Sequence, residues 1–159
     1  MERTKALDFI RTSAIEKDVY LSPVLHKIRS AKKEHIKKTN VAWVEFDGKV
    51  NFDLKDIPEP DWIIQSSTED HKHIYWKVDQ HDPGVIEELN RRLAYHLEAD
   101  SSGWDISQVL RPPETINHKP NKNLPVKVIK STSTDTHSIS TFDKAPSVEK
   151  AVIDLSYDQ

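Results

Sequence analysis

The run VAWVEFD at residues 41–47 decides the fold of this chain. Apolar and β-branched side chains dominate the run, which is typical of a buried strand, and alternate side chains of a strand leave the same face of its sheet. Glu45 and Asp47 are therefore predicted to point the same way. Two neighbouring carboxylates repel each other, so a divalent cation between them is the favoured interpretation. The alternative is a strand that simply ends in water near Gly48.

A second strand is predicted from HKHIYWKV at residues 71–78, which alternates cleanly between apolar and polar side chains. One face of this strand belongs to the core, and the other carries His71, His73, Tyr75 and Lys77. Residues 61–65 form a preceding strand candidate, and the short polar stretch 67–70 suits the turn of a hairpin.

A third strand is predicted from WDISQVLR at residues 104–111, with Asp105 and Arg111 on one face and two prolines at its end. A helix is predicted to begin at Pro83 with Asp82 as its N-cap, because apolar residues then recur at helical spacing. Further predicted features are a helix at 5–15, strands at 18–21 and 126–130, a mobile stretch at 131–140 and a closing helix at 148–155.

The order of these motifs resembles the archaeo-eukaryotic primase superfamily, above all the RepB-like primase-polymerase domains of phage and plasmid replication proteins. Members of that family carry an acid pair, a Ser/Lys-x-His motif, a third acid and an Arg-x-Pro-Gly-Thr-x-Asn-x-Lys segment. The corresponding residues here are Glu45 and Asp47, His71 and His73, Asp105, and RPPETINHK at 111–119. The resemblance covers residues 18–143.

The resemblance implies an α+β fold, the RRM-like primase palm, in which helices pack on one face of a mainly antiparallel sheet. It implies a catalytic domain at residues 1–143 and a C-terminal tail or linker at 144–159. The implied activity is template-dependent nucleotidyl transfer, as DNA primase or DNA polymerase, in the replication of a phage, plasmid or other mobile element. The implied partners are a single-stranded DNA template and nucleoside triphosphates, with a helicase domain or subunit as a further candidate.

The same resemblance implies roles for individual residues. Two Mg²⁺ or Mn²⁺ ions would be held by Glu45, Asp47 and Asp105, which are thereby the implied catalytic residues. The implied nucleotide-binding residues are His71, His73, Arg111, Asn117 and Lys119, with Asn117 orienting Lys119 or the sugar.

The chain departs from the family pattern at four places. Glu45 replaces the usual Asp, and His71 occupies the Ser position. Glu114 stands where the family often has Gly, so we expect the turn there to be built without a positive φ. Asp100 is a rival for the third acid, and Asp105 is preferred because it leads directly into the segment that ends at Arg111.

Residues 24–38 form the most basic segment and are predicted to be helix or loop. A template-backbone or triphosphate contact is predicted for Lys32, Lys33, Lys37 and Lys38. The alternative is an ordinary solvated face.

Composition limits the classes of protein that fit. The 159 residues suit one domain, and a formal net charge of −3 argues against binding nucleic acid by bulk charge, so local basic patches must do so. Cysteine is absent, which excludes disulfides and thiolate zinc modules. No apolar run is long enough to span a membrane or resembles a signal peptide, so we expect a soluble cytoplasmic protein.

Two other functions stay open at this point. The first is a rolling-circle endonuclease, in which His71 and His73 bind metal and Tyr95 is the nucleophile. The second is a non-catalytic module that binds single-stranded nucleic acid and has lost its metal site at Glu45.

Overall fold

A four-stranded antiparallel sheet forms the centre of the computed structural model, which describes residues 3–48, 53–132 and 135–148. Its strands lie side by side in the order Val41–Asp47, His71–Lys77, Trp62–Gln65 and Lys127–Ser131. The helices and strands are α1 (Arg3–Ser13), β1 (Leu25–His26), β2 (Ile36–Lys38), β3 (Val41–Asp47), β4 (Trp62–Gln65), β5 (His71–Lys77), α2 (Pro83–His96), β6 (Ile116–Asn117), β7 (Leu124–Pro125) and β8 (Lys127–Ser131). Two short 3₁₀ helices span Lys33–His35 and Ile139–Phe142.

The register of the two central strands brings the predicted functional residues together. Strand β3 pairs with β5 so that Glu45 lies opposite His73 and Asp47 lies opposite His71. Paired residues of antiparallel strands share a face, so both acids and both histidines lie on one side of the sheet. The predicted β4–β5 hairpin is confirmed, and its turn is closed by the Ser66 N–H, which donates to the His71 carbonyl at 2.9 Å.

Helix α2 packs on the other face of the sheet. The Asp82 side chain accepts a hydrogen bond from the Val85 N–H at 3.1 Å, which confirms the predicted N-cap. The buried core joins this helix to the sheet through Ala42, Val44, Ile74, Trp76, Ile86, Leu89 and Leu93. The helix also protects the edge of β3, because Asn90 Oδ1 accepts from the Trp43 N–H at 2.8 Å. The α+β palm plan, with α2 on one face and the acids on the other, is therefore confirmed.

The strand predicted at residues 104–111 is wrong. The Asp105 carboxylate accepts hydrogen bonds from both the N–H and the hydroxyl of Ser107, and this local bonding makes a turn instead of a strand. Within the described segment, Leu110 forms one isolated bridge with Leu21. The strand predicted at 18–21 is also wrong, because this bridge is its one β-type pairing among the described residues.

The basic segment 24–38 is not a helix. It forms the antiparallel pair β1–β2 with a 3₁₀ turn between, held across by the Lys27 N–H, which donates to the His35 carbonyl at 2.7 Å.

Glu114 contradicts the expectation of a turn without positive φ, because its φ is 62°. The surrounding hydrogen bonds impose this conformation. The Glu114 N–H donates to the Val126 carbonyl at 3.0 Å, and the Thr115 hydroxyl donates to the Pro112 carbonyl at 2.8 Å. A non-glycine residue is thus held in the left-handed region at a cost in free energy.

The described part of the stretch predicted to be mobile at 131–140 contacts the sheet. The His137 N–H donates to the Lys77 carbonyl at 2.8 Å, and Phe142 is fully buried with its ring edge-on to Trp76. Ala145 is also buried, and its carbonyl accepts from Arg92 Nε at 2.7 Å, so the described core extends past residue 143. The closing helix predicted at 148–155 falls, after Val148, outside the described residues.

No helix in the described ranges is long and apolar enough to cross a membrane.

Candidate active site

A polar cleft of about 320 Å³ opens on the face of the sheet opposite α2. It brings together the predicted metal and nucleotide residues with the exception of Asp105. The predicted residues that line it are Glu45, Asp47, His71, His73, Arg111, Asn117 and Lys119. Residues more than 70 positions apart in the chain thus meet at one surface.

Each acid of the pair faces one imidazole across the β3–β5 ladder. Asp47 Oδ1 lies 2.6 Å from His71 Nε2, and Glu45 Oε1 lies 3.4 Å from His73 Nε2. Thr68 Oγ1 orients the first ring through His71 Nδ1 at 2.7 Å. His73 is buried, and its Nδ1 has no hydrogen-bond partner among the described residues.

Glu45 is held from a third side by the loop that follows α2. The Asp100 N–H donates to the Glu45 carbonyl at 2.8 Å, and Gln108 Nε2 donates to Glu45 Oε2 at 3.2 Å. A Cβ at Gly103 would lie 3.0 Å from the Glu45 side chain, so only glycine permits this close approach without displacement. Neither Gly103 nor Gln108 was predicted, because neither belongs to a motif.

Arg111 is buried at the opposite wall of the cleft and is held by the N-terminal part of the chain. Its Nη1 donates to Asp18 Oδ1 at 2.5 Å, and its Nη2 donates to the Tyr20 hydroxyl at 2.8 Å. The guanidinium carbon also lies 4.7 Å from the centre of the Tyr20 ring. Burial alone would raise the pKa of the Asp18 carboxyl, but hydrogen bonds from the His118 N–H and Arg111 outweigh it and lower that pKa.

The remaining cations of this wall are arranged around Asn117. Its Nδ2 donates to the Ser66 carbonyl at 3.2 Å, and its Oδ1 accepts from the Lys119 N–H at 3.1 Å. Asn117 thus holds the Lys119 backbone, and its role toward a nucleotide stays a prediction. Lys119 is exposed, and neither it nor Lys122, which also lines the cleft, forms an ion pair within the described ranges.

Asp105 lies outside the cleft lining, and its carboxylate has other partners. Its Oδ2 lies 3.3 Å from Lys33 Nζ, while its Oδ1 accepts the two Ser107 bonds. Burial would raise the pKa of Asp105, but these hydrogen bonds from Ser107 and Lys33 lower it. The rival acid Asp100 also lies outside the cleft, and its Oδ1 accepts from the N–H and hydroxyl of Ser102.

Glu45 and Asp47 fit a divalent cation by their chemistry, since carboxylate oxygens are the ligands that Mg²⁺ and Mn²⁺ prefer. The set of three acids that the resemblance implies is not assembled. Among the described residues, no three His, Asp or Glu side chains lie close enough together to hold one metal ion.

Two other predictions can be placed. Lys33 of the basic segment is paired with Glu87 at 2.6 Å and with Asp105, and the hydrogen bond to Glu87 is the largest cause of its raised pKa. The other basic residues of this segment are exposed and form no ion pair in the part of the chain that the structure describes; they are Lys32, Lys37 and Lys38.

Tyr95 is exposed on α2, on the far side of the sheet from His71 and His73. The three residues of the alternative endonuclease site are therefore not brought together.

Comparison with solved structures identifies the fold. The AEP domain of the primase-polymerase of cyanophage S-2L aligns with a TM-score of 0.70 at 14% identity, covering 92% of this chain and 78% of that one. The chain shares the fold of that domain. The primase RepB′ aligns with a TM-score of 0.62 at 20% identity, covering 98% of this chain and 51% of that one.

The catalytic domain of RepB′ in complex with initiator DNA also shares the primase fold, with a TM-score of 0.62, 20% identity and coverage of 98% of this chain and 77% of that domain. No family model matches the sequence, and no curated protein is significantly similar to it. The likeness to primases is therefore detected through the tertiary structure.

Proposed function

We propose that this chain is a replication primase-polymerase that transfers nucleotides onto a growing strand under the direction of a single-stranded DNA template. The observation that carries the proposal is the cleft itself, in which an acid pair on strands faces a wall of cations across a space of about 320 Å³. A triphosphate with its divalent cations has the complementary distribution of charge. The primase fold of the three structural neighbours supports the same activity.

The residues of the cleft have distinct proposed roles. Glu45 and Asp47 would hold the divalent cations, and His73 and His71 would donate to phosphate oxygens of the nucleotide. Arg111, fixed by Asp18 and Tyr20, presents its remaining N–H groups to the triphosphate, while Lys119 and Lys122 supply mobile positive charge. Two Mg²⁺ or Mn²⁺ ions, when bound, would supply activation of the attacking 3′-hydroxyl and neutralisation of the pyrophosphate.

The exposed lysines of the β1–β2 segment are the proposed contact to the template backbone. Lys32, Lys37 and Lys38 have no acidic partner in the described ranges, so their charge is available to phosphates. The replication of a phage, plasmid or other mobile element, with a helicase as partner, is the proposed biological setting. Strand synthesis by this chain would serve that replication.

The test is to incubate the protein with single-stranded template, labelled nucleotides and Mg²⁺ or Mn²⁺, and to size the products. De novo products and extended primers would separate priming from polymerisation. Asp47→Asn is expected to lower incorporation by at least about a hundredfold, because it removes a charge that stabilises the transition state. The fold should persist, since Asp47 is an exposed residue at the end of β3.

A matched control is Asp70→Asn, which changes a carboxylate in the β4–β5 turn outside the cleft lining and should leave incorporation intact. If Asp47→Asn retains full activity, the assignment of the acid pair is wrong. If the protein binds template but incorporates nothing with either cation, it is a non-catalytic single-strand-binding module.

A further inference from the structure

Tyr20 is an exposed aromatic side chain on the wall of the cleft, and the proposed roles of the cleft residues do not use its ring. The side chain contacts Arg111 through its hydroxyl, at 2.8 Å, and through one face of its ring, yet the residue is 47% exposed. Because Arg111 is itself buried, the exposed surface of Tyr20 lies on the side turned away from the guanidinium. One face of this ring is therefore open at the cleft.

The ring of Tyr20 is held in place by its surroundings. The Leu21 N–H donates to the Leu110 carbonyl at 2.8 Å, and the Leu110 N–H donates to the Leu21 carbonyl at 2.9 Å, so the backbone next to Tyr20 is fixed. The hydrogen bond from Arg111 fixes the far end of the side chain. A ligand that stacks on this ring does not have to order it first, which favours binding.

Val109 adds apolar surface to the same part of the cleft. It lines the cleft, is 46% exposed and directly precedes Leu110, just as Tyr20 directly precedes Leu21 in the facing segment. Phosphates and divalent cations are bound by polar and charged groups, so they leave this apolar surface without a partner. A nucleobase is a suitable partner, because every base has a planar π face that stacks on aromatic side chains.

The contact between Tyr20 and Arg111 favours the incoming nucleotide over the template as the source of that base. Arg111 is a proposed contact of the triphosphate, and Lys119 and Lys122 line the same cleft. In a nucleoside triphosphate, a single sugar joins the base to the phosphates, so a base stacked on Tyr20 keeps the phosphates close to these cations. The proposed template contacts lie instead on the β1–β2 segment.

We propose that the base of the incoming nucleoside triphosphate stacks on the open face of Tyr20, beside Val109. This rests on the proposed function and identifies the part of the same site that binds the base. Stacking tolerates any base, so the contact should increase the affinity for every nucleotide, and more for the larger purines than for the pyrimidines.

Calorimetric titration of the full chain with a nucleoside triphosphate or with inorganic tripolyphosphate, in Mg²⁺ and without template or primer, separates the base contact from the phosphate contacts. Tyr20→Leu removes the ring and should weaken nucleotide binding by about tenfold, while tripolyphosphate binding stays within about twofold of the wild type. Tyr20→Phe keeps the ring but loses the hydroxyl, so nucleotide affinity should stay within about threefold. Tyr95→Leu changes an exposed tyrosine of α2 that does not line the cleft, and as the matched control it should alter neither affinity.

A comparison of ligands on the wild type does not depend on the folding of any variant. The wild type should bind a purine nucleoside triphosphate at least about tenfold more tightly than ribose 5′-triphosphate, which has no base. Equal binding of these two ligands overturns the proposal.

Circular dichroism shows whether the variants are folded. In folded Tyr20→Leu, equal losses of nucleotide and tripolyphosphate affinity also overturn the proposal, because Tyr20 would then act by supporting Arg111. Normal nucleotide binding with weakened binding of single-stranded DNA overturns it too, and assigns the ring to the template. If the wild type binds neither nucleotide nor tripolyphosphate and incorporates nothing, the proposed function is refuted together with the base site.

Discussion

The two walls of the cleft are built in different ways. The wall of acids lies on β3 and β5, where backbone pairing and alternation set the positions of Glu45 and His73. The wall of cations lies on residues 111–122, which have little regular structure and depend on side-chain contacts from distant parts of the chain. On the wall of acids, backbone hydrogen bonds hold the fold, so a side chain can be replaced with little loss of stability. On the wall of cations, some charged side chains both stabilise the fold and face the cleft.

Arg111 and Lys119 show this difference within the cation wall itself. Arg111 is 5% exposed and is held by Asp18 and Tyr20, whereas Lys119 is exposed and, among the described residues, is held through its backbone alone. Loss of the arginine should therefore affect folding and binding together, and loss of the lysine should affect binding alone.

Replacement of Arg111 by Ala should produce the larger effect. It removes charge-assisted hydrogen bonds and leaves Asp18 without its cation, which should lower the free energy of unfolding by roughly 1.5–3 kcal/mol. Nucleotide affinity should fall by about ten- to hundredfold if the same group contacts phosphate. Urea denaturation and titration with labelled nucleotide measure the two losses. A loss of stability without loss of nucleotide affinity would assign Arg111 to structure alone.

Replacement of Lys119 by Ala should lower nucleotide affinity by about fivefold and leave the free energy of unfolding unchanged. The reason is that its ammonium is exposed and forms no ion pair with any described residue. Raising the salt concentration should reduce the difference between the variant and the wild type. Lys17→Ala, a change of another exposed lysine that does not line the cleft, is the matched control and should leave nucleotide affinity unaffected.

Acid should weaken the contact between Asp18 and Arg111. Because the pKa of Asp18 is lower in the folded protein than its ordinary value of 3.8, its contribution to stability is present above that value and is lost as the pH falls through the lowered pKa. Asp18→Asn should remove this contribution, so its free energy of unfolding should change less between about pH 5 and pH 3 than that of the wild type. Parallel pH curves for the two proteins would contradict this prediction.

Glu114→Gly should give the smallest effect, and its sign is informative. Glycine adopts a φ of 62° without steric strain, which stabilises the folded state, but it also gives the unfolded chain more conformational entropy. The first effect should be the larger, so the free energy of unfolding should rise by up to about 1 kcal/mol. The exposed ion pair between Glu114 and Arg11, at 3.3 Å, contributes little. Glu114→Ala keeps the strain and removes the ion pair, so it serves as the control. Equal stability of the two variants would show that the strain is negligible.

The strand wall was predictable because its rules are local. Alternation in residues 41–47 and 71–78 determines which side chains share a face, and the hairpin turn determines the partner of β5. The same local logic located the N-cap at Asp82. For this part of the site, the sequence was sufficient to predict which side chains share a face of the sheet.

The cation wall was only partly predictable. The motif from 111 to 119 named Arg111, Asn117 and Lys119, but the contact of Arg111 with Asp18 joins residues 93 positions apart and leaves no periodic signal. The segment containing Asp105 was predicted to be a strand, because alternation there did not reveal the competing turn with Ser107.

What the sequence by itself determined about this protein is therefore the set of faces: the acids and histidines on one side of a sheet and the apolar core on the other. Only the tertiary structure decided which distant groups close the site, placing Gln108 beside Glu45, Asp18 beside Arg111 and Asp105 beside Lys33. The physical reason is that the faces of a strand follow from covalent geometry with a period of two residues. Contacts between loops depend instead on how the whole chain packs, and no short window of sequence contains that information.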